Sequence, residues 1–365
     1  MKKKLKIATM IASEVAVPMP KNFPRAYASI PIATSIAKSM VKKGHKVHFF
    51  STKDAKNDGY KVKKAEFISL CKNKKINLYN LSPNARSQTL FLLDQYILVL
   101  LYQEAKKEKY DIIHLHGPID RQCFPICTLF PKIPVVYTIH DPVTAKWRQD
   151  IHYLYKTKHQ YLVSISNAQR KPIPHLNWIG TVYNGIDPKD FQFNDKPKDY
   201  LLFAGRIMNK KGTYEAIKAA QKTNSKLIIA GDHYSEKEYW DKKIKPNIKN
   251  NIKYVGFVNK KELSKLYKNA KASLMPIKWE PFGLTFIESM ATGTPPIAFN
   301  RGSAKEIIKD KKSGFLVNDL QGMIKAIKQI DTIKRIDCRK HVEDNFSVDK
   351  MVDDYEKIYY RILKR

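Results

Sequence analysis

The chain of 365 residues lacks the marks of a small stapled protein and of a membrane-spanning one. It has four cysteines, and the only close pair, Cys123 and Cys127, is spaced C-x3-C, which fits neither a C-x2-C zinc knuckle nor a redox pair. Cys71 and Cys338 stand far from both, so a disulfide framework is excluded and a reducing cytoplasm is expected. Long apolar runs are also missing. The longest, Leu90 to Tyr102, contains Asp94 and Gln95 and falls short of the ~20 residues that cross a bilayer. It reads as a buried helix, with a position lying on a membrane left open. Met1-Lys2-Lys3-Lys4 has the charge of a secretion signal, but the apolar residues after it are broken at Lys6, Thr9, Ser13 and Glu14. Leu5–Ile11 is therefore expected to be a first strand.

Acidic residues are scarce: Asp and Glu number 34 against 67 Lys and Arg, a net charge of +33. Arginine is scarce too, with eleven of those 67. Arginine makes the forked contacts to phosphates and guanine edges, so a dedicated reader of nucleic-acid sequence is not expected. The charge is spread along the chain rather than gathered in a tail. That leaves two readings open, lysine-rich solvated faces and attraction to an anionic membrane or polymer. Hydrophobic residues at 43% and charged residues at 28% exclude disorder and low complexity, and the length suits about two domains.

What is present is an alternation of short apolar runs with helical patterns. Ala33, Ile36, Ala37, Met40 and Val41 share one helical face, Gly44 stands where a left-handed cap belongs, and Val47–Phe50 follows as a buried strand. Further strands are expected at 111–116, 134–139, 161–165 and 178–183. A polar stretch with Pro188 and Pro197 precedes a second series at 200–204, 227–230, 252–257, 272–275, 296–299 and 315–317. The pattern predicts an α/β chain of two doubly wound, Rossmann-like domains facing an inter-domain cleft, where ligands of open parallel sheets bind. The expected divisions are 1–187, a linker at 188–199, 200–345, and a C-terminal helix at 346–365 that crosses back onto the first domain.

Two segments of the second series carry chemistry. In Trp279 to Glu288, two carboxylates stand eight positions apart around a strand-to-helix turn. Gly283 lets the backbone approach a ligand, and the amides from Gly283 to Thr285 open a helix and can hold a phosphate or sugar oxygen. The other segment, Gly205-Arg206-Ile207-Met208-Asn209-Lys210-Lys211-Gly212, places two cations in a strand-end loop. The first segment strongly resembles the E-x7-E signature of retaining, family-four glycosyltransferases of the GT-B fold, and the second is similar to that family's G-R-x4-K-G loop.

The resemblance implies a transferase that moves a sugar from a UDP- or GDP-sugar to an acceptor hydroxyl with retention, in cell-surface glycan or glycolipid synthesis. It assigns Arg206 and Lys211 to the donor diphosphate, Glu288 to the ribose and Glu280 to the sugar hydroxyls. Phe257 is assigned to the base, with Phe282, Gly283, Leu284 and Thr285 along the donor. His116 and His140 resemble the family's strand-end histidines at the donor sugar or reacting centre. No metal and no cofactor are implied, because the cations neutralise the leaving diphosphate. A glycan or lipid-linked acceptor is implied, at a cytoplasmic site peripheral to the inner face of the plasma membrane. One departure concerns the loop after the first strand. The family's glycine pair is absent from Pro24–Ser29, Tyr27 at such a place would narrow the approach, and Lys21 and Arg25 would either bind an anionic group or be exposed loop charges.

Three other readings compete. His114, His116 and His140 contain an H-x-H metal pair, yet the spacing supplies no third ligand. A sugar-nucleotide epimerase shares the fold but lacks E-x7-E. A degenerate transferase binding anionic membrane or nucleic acid would fit the charge, against intact Arg206, Lys211, Glu280 and Glu288.

Overall fold

The computed structural model describes residues 3–19, 29–73, 81–117, 133–143, 145–147, 149–150 and 160–364. Lys21, Arg25, Tyr27, Cys123 and Cys127 lie outside the described residues. The chain divides into two compact units, Met1–Tyr183 with Met351–Arg365, and Asn184–Lys350.

The first unit is built on a parallel sheet in the order β3-β2-β1-β4-β5-β6-β7. Its strands are β1 (Lys6–Met10), β2 (Lys46–Ser51), β3 (Lys61–Lys64), β4 (Ile112–Leu115), β5 (Val135–Ile139), β6 (Gln160–Ser164) and β7 (Trp178–Thr181). Strands covered on both faces read as continuous apolar runs, and β4, β5 and β6 are buried throughout. β3, Lys-Val-Lys-Lys, is an edge strand with one buried residue, and no apolar run announced it. The helix Ser29–Lys42 ends as its sequence predicts. Gly44 takes φ +90°, while its amide and that of His45 bond back to Val41 and Met40.

The apolar run at 90–102 lies within a longer helix, Pro83–Lys107, capped by Ser82, whose hydroxyl accepts the Ala85 amide at 3.2 Å. Asp94 is fully buried and accepts the Ser13 amide at 2.7 Å, which accounts for an acid inside an apolar stretch. The opposite side is not buried: Phe91, Leu92, Tyr96 and Val99 are exposed. Among the described residues no helix is long and apolar enough to cross a membrane.

The C-terminal helix Val348–Leu363 enters the first unit at Met351 and buries Met351, Val352, Tyr355, Ile358, Tyr359 and Ile362. Polar contacts fix its register. The Leu5 amide donates to His45 Nδ1, so His45 Nε2 donates to Glu356 at 2.9 Å, and the Tyr360 hydroxyl donates to the Lys3 carbonyl at 2.8 Å.

The second unit holds the order β10-β9-β8-β11-β12-β13, all parallel. The strands are β8 (Leu201–Ala204), β9 (Leu227–Ala230), β10 (Ile252–Gly256), β11 (Ala272–Met275), β12 (Pro296–Phe299) and β13 (Phe315–Val317). The expected linker at 188–199 is part of this unit. Asp187 caps the turn Pro188–Asp190, Phe191 is buried, and the Asn194 amide bonds to the Thr292 carbonyl at 3.1 Å. Arg335 Nε donates to the Asn194 carbonyl at 2.6 Å. Prolines and charges made the stretch read as a spacer, whereas its main chain is satisfied by the unit it precedes. The chain passes between units at Tyr183/Asn184 and again at Lys350/Met351.

Candidate active site

In the second unit the strand ends of β8, β9 and β10 are each followed or closed by a glycine. Gly231 bonds through its amide to the Gly256 carbonyl at 2.8 Å, and a Cβ on Gly231 would stand 1.8 Å from the Gly205 carbonyl oxygen, so only glycine permits this approach. A Cβ on Gly205 or Gly256 would meet nothing within 4 Å, which leaves open space above these two strand ends. Arg206 follows Gly205, is exposed, and has no ion pair among the described residues. Phe257 follows Gly256 and is 43% exposed.

The loop after β11 meets the loop after β8. Lys211 and Glu280 form an ion pair, each about four-fifths buried. Their loops are held together because Gly212 packs against the Pro276 carbonyl and the Lys278 amide donates to the Lys210 carbonyl at 2.9 Å. Two motifs about seventy positions apart are thus one site. From behind, Ser303 supports the second loop, donating its amide to the Glu280 carbonyl at 3.2 Å and its hydroxyl to the Phe282 carbonyl at 2.7 Å.

Gly283 caps the helix Leu284–Ala291 at φ +85°, where a Cβ would stand 2.5 Å from the Phe286 ring. Among the described residues no acceptor meets the amides of Gly283, Leu284 and Thr285. Such free amides at a helix N-terminus favour an anionic oxygen. Phe282 is 1% exposed and packs edge-on to Phe346, so its side chain belongs to the core.

Glu288, one turn into the helix, is half-buried and has no hydrogen bond or ion pair among the described residues. Burial pushes its carboxyl above the usual range, with Lys260 opposing weakly. Tyr267 stands in the same field, fully buried, its hydroxyl without a partner among the described residues and its pKa raised by burial and then by Glu288. Sequence reasoning gave Tyr267 no role.

In the first unit, His114 lies in β4 and His116 just beyond it, while His140 follows β5. The His114 and His116 rings lie 3.8 Å apart, and His116 Nδ1 is 3.3 Å from His140 Nε2. Burial lowers all three pKa values, His114 to about 3, His116 well below its ordinary value, and His140 to about 4. At neutral pH these are uncharged imidazoles, able to donate and accept hydrogen bonds but holding no proton to release as acids. His116 is 2% exposed, and its Nε2 has no partner among the described residues. No three His, Cys, Asp or Glu side chains among the described residues are arranged to hold a metal ion.

His140 is positioned by a residue to which sequence reasoning gave no role. Gln169 is fully buried, and its Nε2 donates to the carbonyls on either side of His140, Ile139 at 2.8 Å and Asp141 at 3.0 Å. Its Oε1 accepts the Ile165 amide at 2.9 Å, and Ser166 caps its own amide at 3.0 Å. The Ser-x-x-Gln spacing, a helix-start pattern, was the available signal.

Residues 32–190 match the family described as Glycosyltransferase Family 4, and residues 186–340 match Glycosyl transferases group 1. The chain belongs to the family-four glycosyltransferases. A Methanocaldococcus jannaschii protein named as an uncharacterized glycosyltransferase is 26% identical over 322 residues, covering 77% of this chain and 79% of its own. The Escherichia coli UDP-Gal:alpha-D-GlcNAc-diphosphoundecaprenol alpha-1,3-galactosyltransferase is 24% identical over 308 residues, covering 73% and 79%. Among solved structures, sucrose-phosphate synthase from Thermosynechococcus elongatus superposes with a TM-score of 0.77 at 16% identity, covering 98% of this transferase and 99% of that chain. The fold of the transferase is GT-B.

Proposed function

We propose that this glycosyltransferase moves a sugar from a UDP- or GDP-sugar to an acceptor hydroxyl with retention of anomeric configuration and without a metal. The observation that carries the reading is Glu288. It is a desolvated carboxylate with no partner among the described residues, in a helix whose first amides are also without acceptors. A buried acceptor of this kind is satisfied by a diol, as a ribose offers, while the amides one turn earlier and the cations of the loop after β8 suit the diphosphate attached to that ribose.

In this reading Arg206 and Lys211 hold the diphosphate, the open strand ends at Gly205 and Gly256 admit the nucleotide, and Phe257 meets the base. The amides from Gly283 to Thr285 take phosphate or sugar oxygens, and Glu280, oriented by Lys211, takes sugar hydroxyls. The bond from the anomeric carbon to the phosphate oxygen breaks as the acceptor oxygen bonds to the same face, and the acceptor proton passes to the leaving phosphate oxygen. The cations stabilise the charge that develops there. His116 and His140, uncharged at neutral pH, hydrogen-bond the sugar rather than deliver a proton.

The acceptor is a glycan or a lipid-linked sugar, as in the name of the Escherichia coli relative. The location is cytoplasmic, peripheral to an anionic membrane. That position is supported by the net charge of +33 and by the uncharged exposed residues Phe91, Leu92, Tyr96 and Val99.

The test is a thermal-shift panel of UDP, GDP, ADP and their sugars without metal, on wild type and Glu288→Ala. Ligand at 100 times its Kd adds about 2.7 kcal/mol to stability. A shift selective for one base and lost in the variant is the expected result. No shift with any nucleotide overturns the donor site.

A further inference from the structure

The first unit contains a row of buried polar contacts that the donor and acceptor roles leave unused. The Tyr355 hydroxyl lies 2.8 Å from Thr138 Oγ1, Thr138 Oγ1 lies 2.8 Å from His114 Nε2, and His114 Nδ1 lies 2.6 Å from the Tyr359 hydroxyl. Every member is at most 1% exposed. The row ends against the site, since the His114 ring lies 3.8 Å from His116, which reaches His140.

Hydroxyls are costly in a dry interior unless they are bonded, and phenylalanine would fill the same space on the C-terminal helix without that cost. The row is also directional. In one setting Tyr355 donates to Thr138, Thr138 donates to His114 Nε2, and the hydrogen on Nδ1 goes to the Tyr359 oxygen. In the other, Tyr359 donates to Nδ1, Nε2 donates to Thr138, and Thr138 donates to the Tyr355 oxygen. The two tyrosines therefore decide which nitrogen of His114 carries hydrogen.

We propose that Tyr355 and Tyr359 are positioning residues of this transferase: they fix the tautomer and ring plane of His114, and His114 by ring contact sets the orientation of His116 and His140. The proposal rests on the reading of those two histidines as site residues. It makes the last helix of the chain part of the chemistry of the first unit and not only its cover.

The experiment uses full-length protein labelled with 15N-histidine, in Tyr359→Phe and Tyr355→Phe, which keep the ring and remove the hydroxyl. Two-bond proton–nitrogen spectra read each imidazole tautomer with no nucleotide present. Wild type should show His114 in one tautomer. In Tyr359→Phe, His114 should change its tautomer balance and the His116 and His140 nitrogens should move with it. The kcat for transfer should fall about tenfold, with KM for the nucleotide sugar within about twofold of wild type. Unchanged His116 and His140 nitrogens in both variants overturn the proposal.

Thr138→Ser against Thr138→Val gives the same comparison if a phenylalanine variant fails to fold. Serine should preserve the wild-type spectrum and valine should not, and identical spectra overturn the row. Failure of the donor reading looks different, because wild type would then bind no nucleotide while the histidine spectra still respond to the hydroxyls.

Discussion

Gln169 clamps His140 from behind: one side-chain amide donates to the carbonyl before the histidine and to the carbonyl after it. The loop that carries His140 is therefore tied to the helix start at Ser166, on which Gln169 stands.

Gln169→Leu removes these contacts at nearly constant volume and strands two carbonyls and the Ile165 amide in the interior. Stability should fall by about 3 kcal/mol in urea titrations. Transfer should fall further than nucleotide affinity, because the clamp serves the first unit only. Equal losses of both would place Gln169 outside the sugar site.

Lys211→Ala should weaken UDP or GDP binding by at least about tenfold in calorimetry, since it removes a cation and leaves Glu280 facing the diphosphate. The Lys211–Glu280 pair is about four-fifths buried, so the variant leaves a largely buried carboxylate without its cation and unfolding free energy should fall by about 1–3 kcal/mol. Glu280→Gln should keep nucleotide affinity and lose transfer.

Acid should destabilise the first unit through its buried histidines. His114, His116 and His140 have folded pKa values below their unfolded value near 6.5, so the unfolded state binds more protons between about pH 4 and 6.5. Stability is full above that window and is lost as pH falls through it, with a slope of about 1.4 kcal/mol per pH unit for each imidazole. Glu288 has the opposite sign. Its folded pKa is raised above 4.5, so the native state holds the proton more tightly and wild type loses stability as pH rises from 4.5 to that folded value. Glu288→Gln should be more stable than wild type at pH 7, and the two should converge near pH 4. Chemical denaturation at pH 4, 5, 6 and 7 measures both effects.

Leu92→Glu with Val99→Glu places two acids on the exposed face of Pro83–Lys107 and leaves the Tyr96–Phe67 ring contact in place. Sedimentation with phosphatidylglycerol vesicles should fall several-fold, with the melting temperature unchanged. Wild-type binding that disappears between low and physiological salt would indicate charge attraction alone and remove the apolar face from the account.

The strands of both sheets were legible where they are covered on both faces, because burial turns them into apolar runs. β3 was not, since an edge strand of lysines looks like a loop. Lys211 and Glu280 stood in two separate motifs of the sequence, and their meeting is the contact that spacing alone leaves undetermined. Gln169 and Tyr267 were missed because neither bears a charge, and a buried amide or phenol acts through whichever main chain or carboxylate the fold brings beside it. The stretch 188–199 was misread for a related reason: Asn194 and Arg335 are satisfied across 141 positions, and composition carries no trace of that.

The boundary inside the last helix has a consequence for how the transferase is made. Asn184–Lys350 is one unbroken stretch and can close on itself as soon as it leaves the ribosome. The first unit cannot, because Tyr355 and Tyr359, which complete its interior, are synthesised only after the whole of the second unit. At about 5–20 residues per second, the nascent sheet waits roughly 10–35 s for its own cover. During that interval its apolar face is a client for chaperones, and a premature stop just after residue 350 would release a whole second unit fused to a first one that never closes.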